Sequence, residues 1–417
     1  MRFSRPLLDA CTAAFAAVLP LEQPADATLS AFFRSHPKVG QRDRATIAES
    51  VYAALRRRRL LERVAATQSP RRLALATWTA LLGANLRELD PWLRGDEAQW
   101  LASVKHEAHA PQPLEVECEL PDWAIERLRA RHDENALLAL ARGLLQNAPL
   151  DLRVNPMKIS REAALERLAA DGLRAAATPY GPEGIRVQEK PAINRHPLFL
   201  HGSVEVQDEG SQLLCHLVAP KRGEMVVDFC AGAGGKTLAL GALMRSTGRL
   251  YAFDISPKRL AGLKPRLARS GLSNVHPQRI EGVNDTRVKR LAGKIDRVLV
   301  DAPCSGLGTL RRNPDMKWRQ TPEDVAELVE KQKSILAGAA RLVKPGGRLV
   351  YATCSILDEE NRGIVGDFLR NAPFTLRSAG DVLEKGGIRL QMEEYLELWP
   401  HRHGTDGFFA AVLERVA

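Results

Sequence analysis

The second half of the sequence alternates short apolar strands with helices, and this alternation limits the possible fold more than any other feature. From about residue 201 the strand-like stretches are EMVVDF, RLYAFDI, VHPQRI, DRVLVDA and RLVYATCS, and helical stretches such as SPKRLAGLKPRLARSG separate most of them. Strands that alternate with helices pair in parallel through right-handed crossovers and bind ligands at their carboxyl ends. We therefore predict an α/β fold with a doubly wound parallel sheet over residues 201–417.

The sequence before residue 201 predicts two further domains. Residues 1–120 carry apolar side chains at helical spacing, as in ATIAESVYAALRRRRLLERVAA, and indicate an all-helical domain. Within that stretch Arg56–Arg59 lies inside one predicted helix, where both RNA contact and simple solvation stay open. Residues 121–200 predict a small α/β module that resembles an RNA-recognition domain. It has a strand in PLDLRVNPMK, a helix capped by Ser160 and ended by Gly172, and a hairpin in RAAATPYGPEGIRV.

Charge and cysteine usage narrow the classes of function. The formal net charge of +10 favours a polyanionic partner, with a surplus that serves solubility as the alternative. No apolar run approaches the ~18 residues of a membrane span, and Asp9 interrupts the apolar N-terminal stretch, which favours an amphipathic helix over a signal peptide. No C-x-x-C pair occurs, so we expect no zinc site. The six cysteines are scattered along the chain, which indicates a cytoplasmic protein and not a disulfide framework.

The glycine-rich stretch VVDFCAGAGGKTLAL follows the first strand of the predicted sheet. Gly235, Lys236 and Thr237 fit the end of a P-loop, but Cys230 stands where its first glycine belongs, and the dinucleotide pattern fails at Thr237. What remains is a strand, a tight turn and a helix start with N–H groups, which suits a carboxylate or a ribose as well as a phosphate. A tight turn without any ligand is the alternative.

An acidic residue at the end of the next strand favours one cofactor. Asp254 follows Gly234 by twenty residues and can accept hydrogen bonds from both hydroxyls of an adenosine ribose. A carboxylate there tends to repel a ligand phosphate, whereas S-adenosylmethionine has no phosphate and carries a sulfonium cation. We therefore predict S-adenosylmethionine as the cofactor.

Two cysteines follow the ends of neighbouring predicted strands, Cys304 in DAPCSG and Cys354 in YATCSI. The carboxyl ends of parallel strands face one crevice, so both thiols are expected beside the glycine turn. Free cysteines are most often small buried hydrophobic residues, but two in one crevice without metal-ligand spacing favour nucleophilic catalysis.

The chemistry that two thiols permit is methylation of a pyrimidine at carbon 5. That carbon is a weak nucleophile until a thiolate adds at carbon 6, after which it can attack a sulfonium methyl group. Asp301, three residues before Cys304, is placed to hold cytosine through its exocyclic amine and N3. Methyltransferases of exocyclic amines would instead show Asp/Asn-Pro-Pro-aromatic where this chain has Asp301-Ala302-Pro303-Cys304.

The motifs DFCAGAGGKT, DAPCSGLGTLRRNPDMKW, KPGGRLVYATCSILDEEN, HGTDGFF and VQDEGSQL resemble the Sun-domain family of RNA cytosine-5 methyltransferases. The resemblance covers about residues 120–417 and extends to bacterial members that act on small-subunit (16S) ribosomal RNA. It implies a Rossmann-like fold of S-adenosylmethionine-dependent methyltransferases. For residues 1–120 the match to an antitermination-factor-like RNA-binding domain depends on helical character.

The resemblance assigns roles that spacing alone leaves open. It implies that Cys354 is the nucleophile and that Cys304 assists product release, an order that the residues themselves do not give. Lys236 would approach the target base or the cofactor's carboxylate, and Asp301 would lie near the methyl donor and the base. Asp254 would bind the ribose. The implied cofactor loop comprises Cys230, Ala231, Gly232, Ala233, Gly234, Gly235 and Lys236.

This chain departs from the family pattern at two places. The usual loop is Cys-Ala-Ala-Pro-Gly-Gly-Lys, whereas Gly232-Ala233-Gly234 stands here at its centre. The acidic residue expected near the adenine is either Glu281 or Asp285, and we favour Asp285.

The segment LRRNPDMKWRQ after Cys304 is a candidate contact for single-stranded RNA. Phosphate contacts from Arg311, Arg312 and Lys317 and base stacking on Trp318 are natural for RNA, and a solvated loop with Trp318 in a local core is the alternative. A base inside a stem would have to flip out to meet either thiol.

The expected protein is a monomeric enzyme that acts on RNA, either naked or in an assembling ribosomal subunit. The rival functions are a non-catalytic ribosome-assembly factor that binds RNA and S-adenosylmethionine, and a P-loop ATPase, which Cys230 already disfavours.

Overall fold

The computed structural model describes residues 3–189 and 191–416, and these residues form two compact units. The first unit includes the chain up to Asn147 together with Thr309–Pro322, and the second comprises Ala148–Gly308 and the chain from Glu323 onward. Both cysteine-bearing strand ends therefore belong to the second unit. The limits of the two units differ from those of the three predicted domains, and the three-domain division stays a prediction.

Among the residues that the structure describes, the first unit consists of helices and the loops between them. Its core includes Phe15, Leu55 and Trp78, and the Trp78 indole donates to Ser50 Oγ at 2.8 Å. The helices of residues 3–147 are α1 (Arg5–Val18), α2 (Ala25–Ser35), α3 (Gln41–Arg56), α4 (Arg58–Ala65), α5 (Pro70–Ala76), α6 (Leu86–Leu89), α7 (Glu97–Ala108), α8 (Leu114–Cys118), α9 (Asp122–Arg129) and α10 (Glu134–Leu145).

The prediction of one helix through the arginine run was wrong, because the chain breaks between α3 and α4. Arg57 has φ −115° and ψ 39°, outside the helical region. The buried carboxylate of Glu119 accepts the backbone N–H groups of Arg59 and Leu60, each at 3.0 Å, and so caps the start of α4. Arg59 also donates to Asp122 at 2.5 Å, which makes it a structural residue of this unit.

The second unit begins with a small antiparallel sheet of order β2-β3-β1-β4. As predicted, Ser160 caps the helix α11 by accepting from the Ala163 N–H at 3.1 Å, and β2 and β3 form a hairpin. The elements are β1 (Leu150–Val154), α11 (Arg161–Ala170), β2 (Ala175–Ala177), β3 (Gly184–Val187), α12 (Pro197–Leu200) and β4 (Val204–Val206).

The remainder of the second unit forms a larger sheet of order β10-β12-β9-β8-β5-β6-β7, with β11 paired to β12. Strands β5 to β9 pair in parallel, as predicted, and β10, β11 and β12 are antiparallel. The strands are β5 (Met225–Asp228), β6 (Arg249–Asp254), β7 (Val275–Arg279), β8 (Ile295–Asp301), β9 (Val343–Thr353), β10 (Phe374–Arg377), β11 (Tyr395–Leu398) and β12 (Phe408–Arg415).

Helices cover both faces of this sheet, because successive strand residues point to opposite sides. Val226 and Leu299 belong to one buried cluster, and their neighbours Val227 and Val298 belong to another. The helices in this part of the chain are α13 (Glu209–Val218), α14 (Gly235–Leu243), α15 (Pro257–Ser270), α16 (Thr286–Arg290), α17 (Met316–Arg319, in the first unit), α18 (Pro322–Ala340), α19 (Arg362–Asn371), α20 (Ala379–Lys385) and α21 (Pro400–His403).

No helix among the described residues combines the length and the apolarity that crossing a membrane requires.

Candidate active site

The glycine-rich turn connects β5 to α14 and packs closely on α15. Gly234 has φ +83°, and a Cβ there would lie 2.1 Å from Leu263 Cδ1, so only glycine fits. Gly232 has φ +58°, and a Cβ on it would meet no atom within 4 Å, so the space in front of the turn is open. A ligand can therefore approach the backbone of Gly232 directly.

Asp254 lies at the end of β6, where the sequence placed it, and its side chain contacts this turn. Its Oδ2 accepts the Gly232 N–H at 2.8 Å and its Oδ1 accepts the Ser256 N–H at 2.7 Å. A carboxylate offers about four acceptor positions, so both oxygens can also accept ribose hydroxyls. The open turn and Asp254 together fit the nucleoside portion of S-adenosylmethionine.

Two arginines that the sequence analysis did not single out hold the outer side of the turn. Arg153, on β1, is buried and donates to the Gly235 carbonyl at 2.7 Å. Arg266, on α15, donates to the Ala233 carbonyl at 2.8 Å. These two hydrogen bonds hold the carbonyl groups of Ala233 and Gly235 in place and do not involve the N–H groups of the turn. The turn therefore keeps its shape although the usual proline is missing.

Lys236 and Asp301 form an ion pair that links the turn to the end of β8. Their Nζ and Oδ2 atoms lie 2.6 Å apart, with side chains 13% and 30% exposed. Burial disfavours the charged ammonium, but the nearby Asp301 carboxylate outweighs it and raises the pKa of Lys236 above its usual value. Lys236 is thus a cation throughout the physiological range. Its partner Asp301 stands three residues before Cys304 in the sequence.

The two predicted catalytic cysteines lie side by side. β8 and β9 pair in parallel with Asp301 opposite Ala352. The residues that follow the two strands therefore lie at the same edge of the sheet, at the carboxyl ends of the strands. The Sγ atoms of Cys304 and Cys354 lie 3.4 Å apart. The hydrogen bond to Cys354 and burial raise the pKa of Cys304 well above its usual value. Cys304 therefore keeps its proton in this arrangement.

Close backbone contacts hold the loop that carries Cys354. The Gly308 N–H donates to the Cys354 carbonyl at 2.8 Å, and the Gly407 N–H donates to the Gly308 carbonyl at 2.8 Å. A Cβ on Gly308 would lie 2.2 Å from the Gly407 oxygen. The terminal HGTDGFF motif thus contributes a backbone support for the loop that carries Cys354, a role that the sequence did not reveal.

A buried acid lies beneath the glycine turn. Asp228 Oδ2 accepts the Thr237 hydroxyl at 2.7 Å, while its Oδ1 has no hydrogen-bond partner among the described residues. Burial raises the pKa of Asp228 to about 7. Both residues stand in the motif DFCAGAGGKT, but the sequence pattern assigns neither of them a role.

Two other predicted cofactor residues have local partners. Cys230 packs against one apolar face of the sheet, and burial raises the pKa of its thiol above the usual value. Asp285 accepts the N–H groups of Arg287 at 2.8 Å and Glu281 at 3.0 Å, which lower the pKa of its carboxyl group. Asp285 is therefore the N-cap of α16, and its contact with the adenine stays a prediction, as does the alternative Glu281.

The basic segment after Cys304 packs inside the first unit, whereas the sequence predicted an RNA contact with a solvated loop as the alternative. Lys317 is 2% exposed and donates to the Arg56 carbonyl at 3.1 Å, and burial lowers its pKa. Arg311 is 6% exposed. Because neither side chain faces solvent, the structure does not favour their predicted RNA contact. Trp318 donates to the Leu55 carbonyl at 2.7 Å; it and Arg312 are partly exposed, and their RNA contact stays a prediction.

Comparison with protein families gives two matches. Residues 215–414 match the family described as 16S rRNA methyltransferase RsmB/F. Residues 120–194 match the RsmF/B-like, ferredoxin-like domain. The second match covers α9, α10 and most of the small antiparallel sheet.

Two curated bacterial relatives are similar over most of the chain. The probable ribosomal RNA small subunit methyltransferase B of Synechocystis is 37% identical over 71% of this chain and 66% of its own length. That of Bacillus subtilis is 32% identical over 72% of this chain and 68% of its own length. The chain thus spans about two thirds of the length of these relatives.

Solved structures support the fold. The protein named PH0851 is 26% identical with a TM-score of 0.78, and the match covers 100% of both chains. A methyltransferase homolog protein from Pyrococcus horikoshii is 28% identical with a TM-score of 0.59, covering 71% of this chain and 100% of its own. The prediction of a Rossmann-like methyltransferase fold is confirmed, and S-adenosylmethionine is the cofactor of the family that the sequence matches.

Proposed function

Because the chain belongs to the 16S rRNA methyltransferase RsmB/F family, we propose that it methylates carbon 5 of a cytidine in small-subunit ribosomal RNA. The relatives' names mention the ribosomal RNA small subunit, and the position on the base is our inference from the site. Such a substrate would place the protein in the cytoplasm, where ribosomal subunits assemble, and we expect it to act as a monomer.

The observation that supports carbon 5 is the pair of thiols at the ends of β8 and β9. Their Sγ atoms lie 3.4 Å apart, and Asp301, three residues before Cys304, is bonded to Lys236 of the glycine turn. One pyrimidine ring can meet a nucleophilic thiol, a second thiol and a carboxylate in such a site. Methylation of an exocyclic amine needs no thiol, so two would have no use there.

The cofactor site comprises the glycine turn and Asp254. The N–H groups of the turn and the start of α14 would hold the amino-acid end of S-adenosylmethionine, and Asp254 would accept the ribose hydroxyls. When bound, S-adenosylmethionine supplies an electrophilic methyl group on a sulfonium sulfur.

The reaction begins at Cys354. Its thiolate adds to carbon 6 of the cytosine, which forms a carbon–sulfur bond and makes carbon 5 nucleophilic towards the methyl group. Asp301 would hold the exocyclic amine and N3, and Lys236 would hold the Asp301 carboxylate in place. The hydrogen bond to Cys354 and burial raise the pKa of Cys304. Cys354 is assigned as the nucleophile because it stands in the Thr-Cys-Ser motif of the family.

The second half of the reaction restores the aromatic ring. The proton on carbon 5 passes to water, its electron pair re-forms the double bond between carbons 5 and 6, and the bond from carbon 6 to Cys354 breaks with its electron pair staying on the sulfur as a thiolate. Cys304, which touches Cys354, would assist this release. Without Cys304 the addition and methyl transfer can proceed while elimination slows.

Transfer of tritiated methyl groups to small-subunit RNA from cells lacking the gene tests this function. We expect the wild-type protein to label the RNA and bisulfite sequencing to locate 5-methylcytidine. Cys354→Ala should lose transfer, whereas the matched control Cys118→Ala, which removes a buried thiol in the first unit, should retain it. Label on an exocyclic amine or a ribose oxygen would overturn the proposal.

A further inference from the structure

A buried carboxylate lies between the two loops that carry the catalytic thiols. Glu360 follows β9 in a short 3₁₀ turn, Asp358–Glu360, and its side chain is 0% exposed. A carboxylate deprived of water is strongly unfavourable unless donors replace the lost hydration. The donors that surround Glu360 therefore indicate what holds this group inside the protein.

The donors are the residues that immediately follow the two cysteines. Ser305, after Cys304, donates its N–H to Glu360 Oε1 at 2.8 Å and its hydroxyl to Oε2 at 2.5 Å. Ser355, after Cys354, donates its hydroxyl to the same Oε2. The two hydroxyl oxygens lie 3.1 Å apart. One carboxylate thus joins the two cysteine loops at equivalent positions.

A fourth donor extends the arrangement to the residue before Cys304. Gln332, on α18, donates from Nε2 to Glu360 Oε1 and to the Pro303 carbonyl, each at 2.9 Å. The backbone of Glu360 is fixed as well, because its carbonyl accepts the Tyr351 hydroxyl at 2.7 Å. The carboxylate cannot shift without breaking bonds to both loops.

We propose that Glu360 is the positioning residue of the thiol pair, holding the loops after β8 and β9 at the separation that brings Cys304 and Cys354 together. Its role in catalysis rests on the proposed function, whereas its effect on the distance between the thiols does not. Both oxygens of the Glu360 carboxyl group are used as acceptors, by the two serine hydroxyls on one side and by the Ser305 N–H and the Gln332 amide on the other. Glutamine at this position would turn one acceptor into a donor that faces hydroxyl groups.

The rate of disulfide formation between the two thiols reports their positioning without any RNA. With hydrogen peroxide, the thiols of Cys304 and Cys354 lose two protons and two electrons, the sulfurs bond, and the peroxide is reduced to two molecules of water. Because closure requires both sulfurs to meet, loosening the loops lowers this rate.

The test compares Glu360→Gln with Glu209→Gln. Glu209 is also 0% exposed, but it accepts the backbone N–H groups of Tyr180 and Gly181. We expect Glu360→Gln to slow cross-linking about ten-fold and to lower kcat about a hundred-fold, the scale of a 1 Å misplacement, with the Kd for S-adenosylmethionine unchanged. Glu209→Gln should lower the unfolding midpoint but leave the cross-linking rate unchanged. If Glu360→Gln does not fold, Ser355→Ala takes its place in the test. This variant removes one hydroxyl donor and should slow cross-linking to a smaller extent.

Two outcomes would overturn the positioning role. One is a wild-type cross-linking rate in both Glu360→Gln and Ser355→Ala. The other is an equal loss in Glu209→Gln, which would attribute the effect to lowered stability. Slower cross-linking in a protein that never methylates cytidine would support the positioning role while it overturns the proposed function.

Discussion

Cys304 Sγ and Cys354 Sγ lie 3.4 Å apart, although fifty residues of chain separate them. Parallel pairing of β8 and β9 brings the two loops to one edge of the sheet, and the bonds of Glu360 fix the loops to each other. The separation is close enough for both thiols to act on one ring.

The first prediction is that mild oxidation joins these two cysteines. Hydrogen peroxide should form a Cys304–Cys354 disulfide with loss of methyl transfer, and dithiothreitol should restore the activity. Peptide mapping by mass spectrometry measures the cross-link. Cys11 and Cys215 should stay reduced, because their side chains are fully buried whereas Cys304 and Cys354 are partly exposed. A cross-link that excludes either Cys304 or Cys354 would contradict the observed pairing.

A second prediction concerns the backbone contact behind Cys354. In Gly308→Ala the added Cβ would lie 2.2 Å from the Gly407 oxygen and 2.7 Å from the Cys354 oxygen, so the loops must separate. We expect a loss of about 1–3 kcal/mol in unfolding free energy, as for other overpacked sites, and a lower rate of methyl transfer. Gly282→Ala is the control, because a Cβ there meets no atom within 4 Å. Equal midpoints in urea for the two variants would refute the prediction.

A third prediction is a pH dependence of stability caused by Asp228. Burial raises the pKa of this carboxyl to about 7, whereas an unfolded aspartate titrates near ~3.9. A raised folded-state pKa contributes stability that is complete below the unfolded pKa and is lost as pH rises through the folded pKa. The contribution of Asp228 should therefore fall between about pH 4 and pH 7.

Asp228→Asn removes this titration. The unfolding free energy of the variant should depend less on pH in that window, by up to roughly 1.4 kcal/mol per pH unit. Urea unfolding of both proteins at half-unit steps of pH measures the difference. Parallel curves would show that Asp228 does not titrate in this range.

The fourth prediction concerns the ion pair between Lys236 and Asp301. Lys236→Met keeps the side-chain length but leaves the Asp301 carboxylate without its cation. We expect kcat to fall by a factor equivalent to about 2 kcal/mol, because a partly buried charge loses its partner. Lys333→Met, which removes an exposed lysine paired with Glu330, should leave kcat unchanged. An unchanged kcat in Lys236→Met would exclude the ion pair from catalysis.

Much of the fold could be predicted from the sequence, because it depends on local patterns. The buried runs of β8 and β9 and the helices between strands gave the parallel sheet, and strand order placed Cys304 near Cys354. The glycine turn and the position of Asp254 could also be predicted, because the glycine-rich stretch and the twenty-residue spacing are visible in the sequence. The structure explains the glycine at 234 by its close contact with Leu263.

The rest depends on contacts between residues far apart in the sequence. The break at Arg57 arises because Glu119, about sixty residues away, caps the next helix. Lys317 is buried and donates to the Arg56 carbonyl, although lysines are usually exposed. Glu360 looked like one acid among several in ILDEEN, and only the loop packing shows that it bonds both serines. A signal was present, since Cys304 and Cys354 are each followed by a serine.

Trapping of a protein–RNA adduct tests the central claim most directly. Cys304→Ala, incubated with S-adenosylmethionine and unmethylated 16S ribosomal RNA, should accumulate a covalent complex that survives a denaturing gel. The double variant Cys304→Ala/Cys354→Ala should form none. An adduct that persists without Cys354, or no adduct in Cys304→Ala while it still methylates the RNA, would contradict the account.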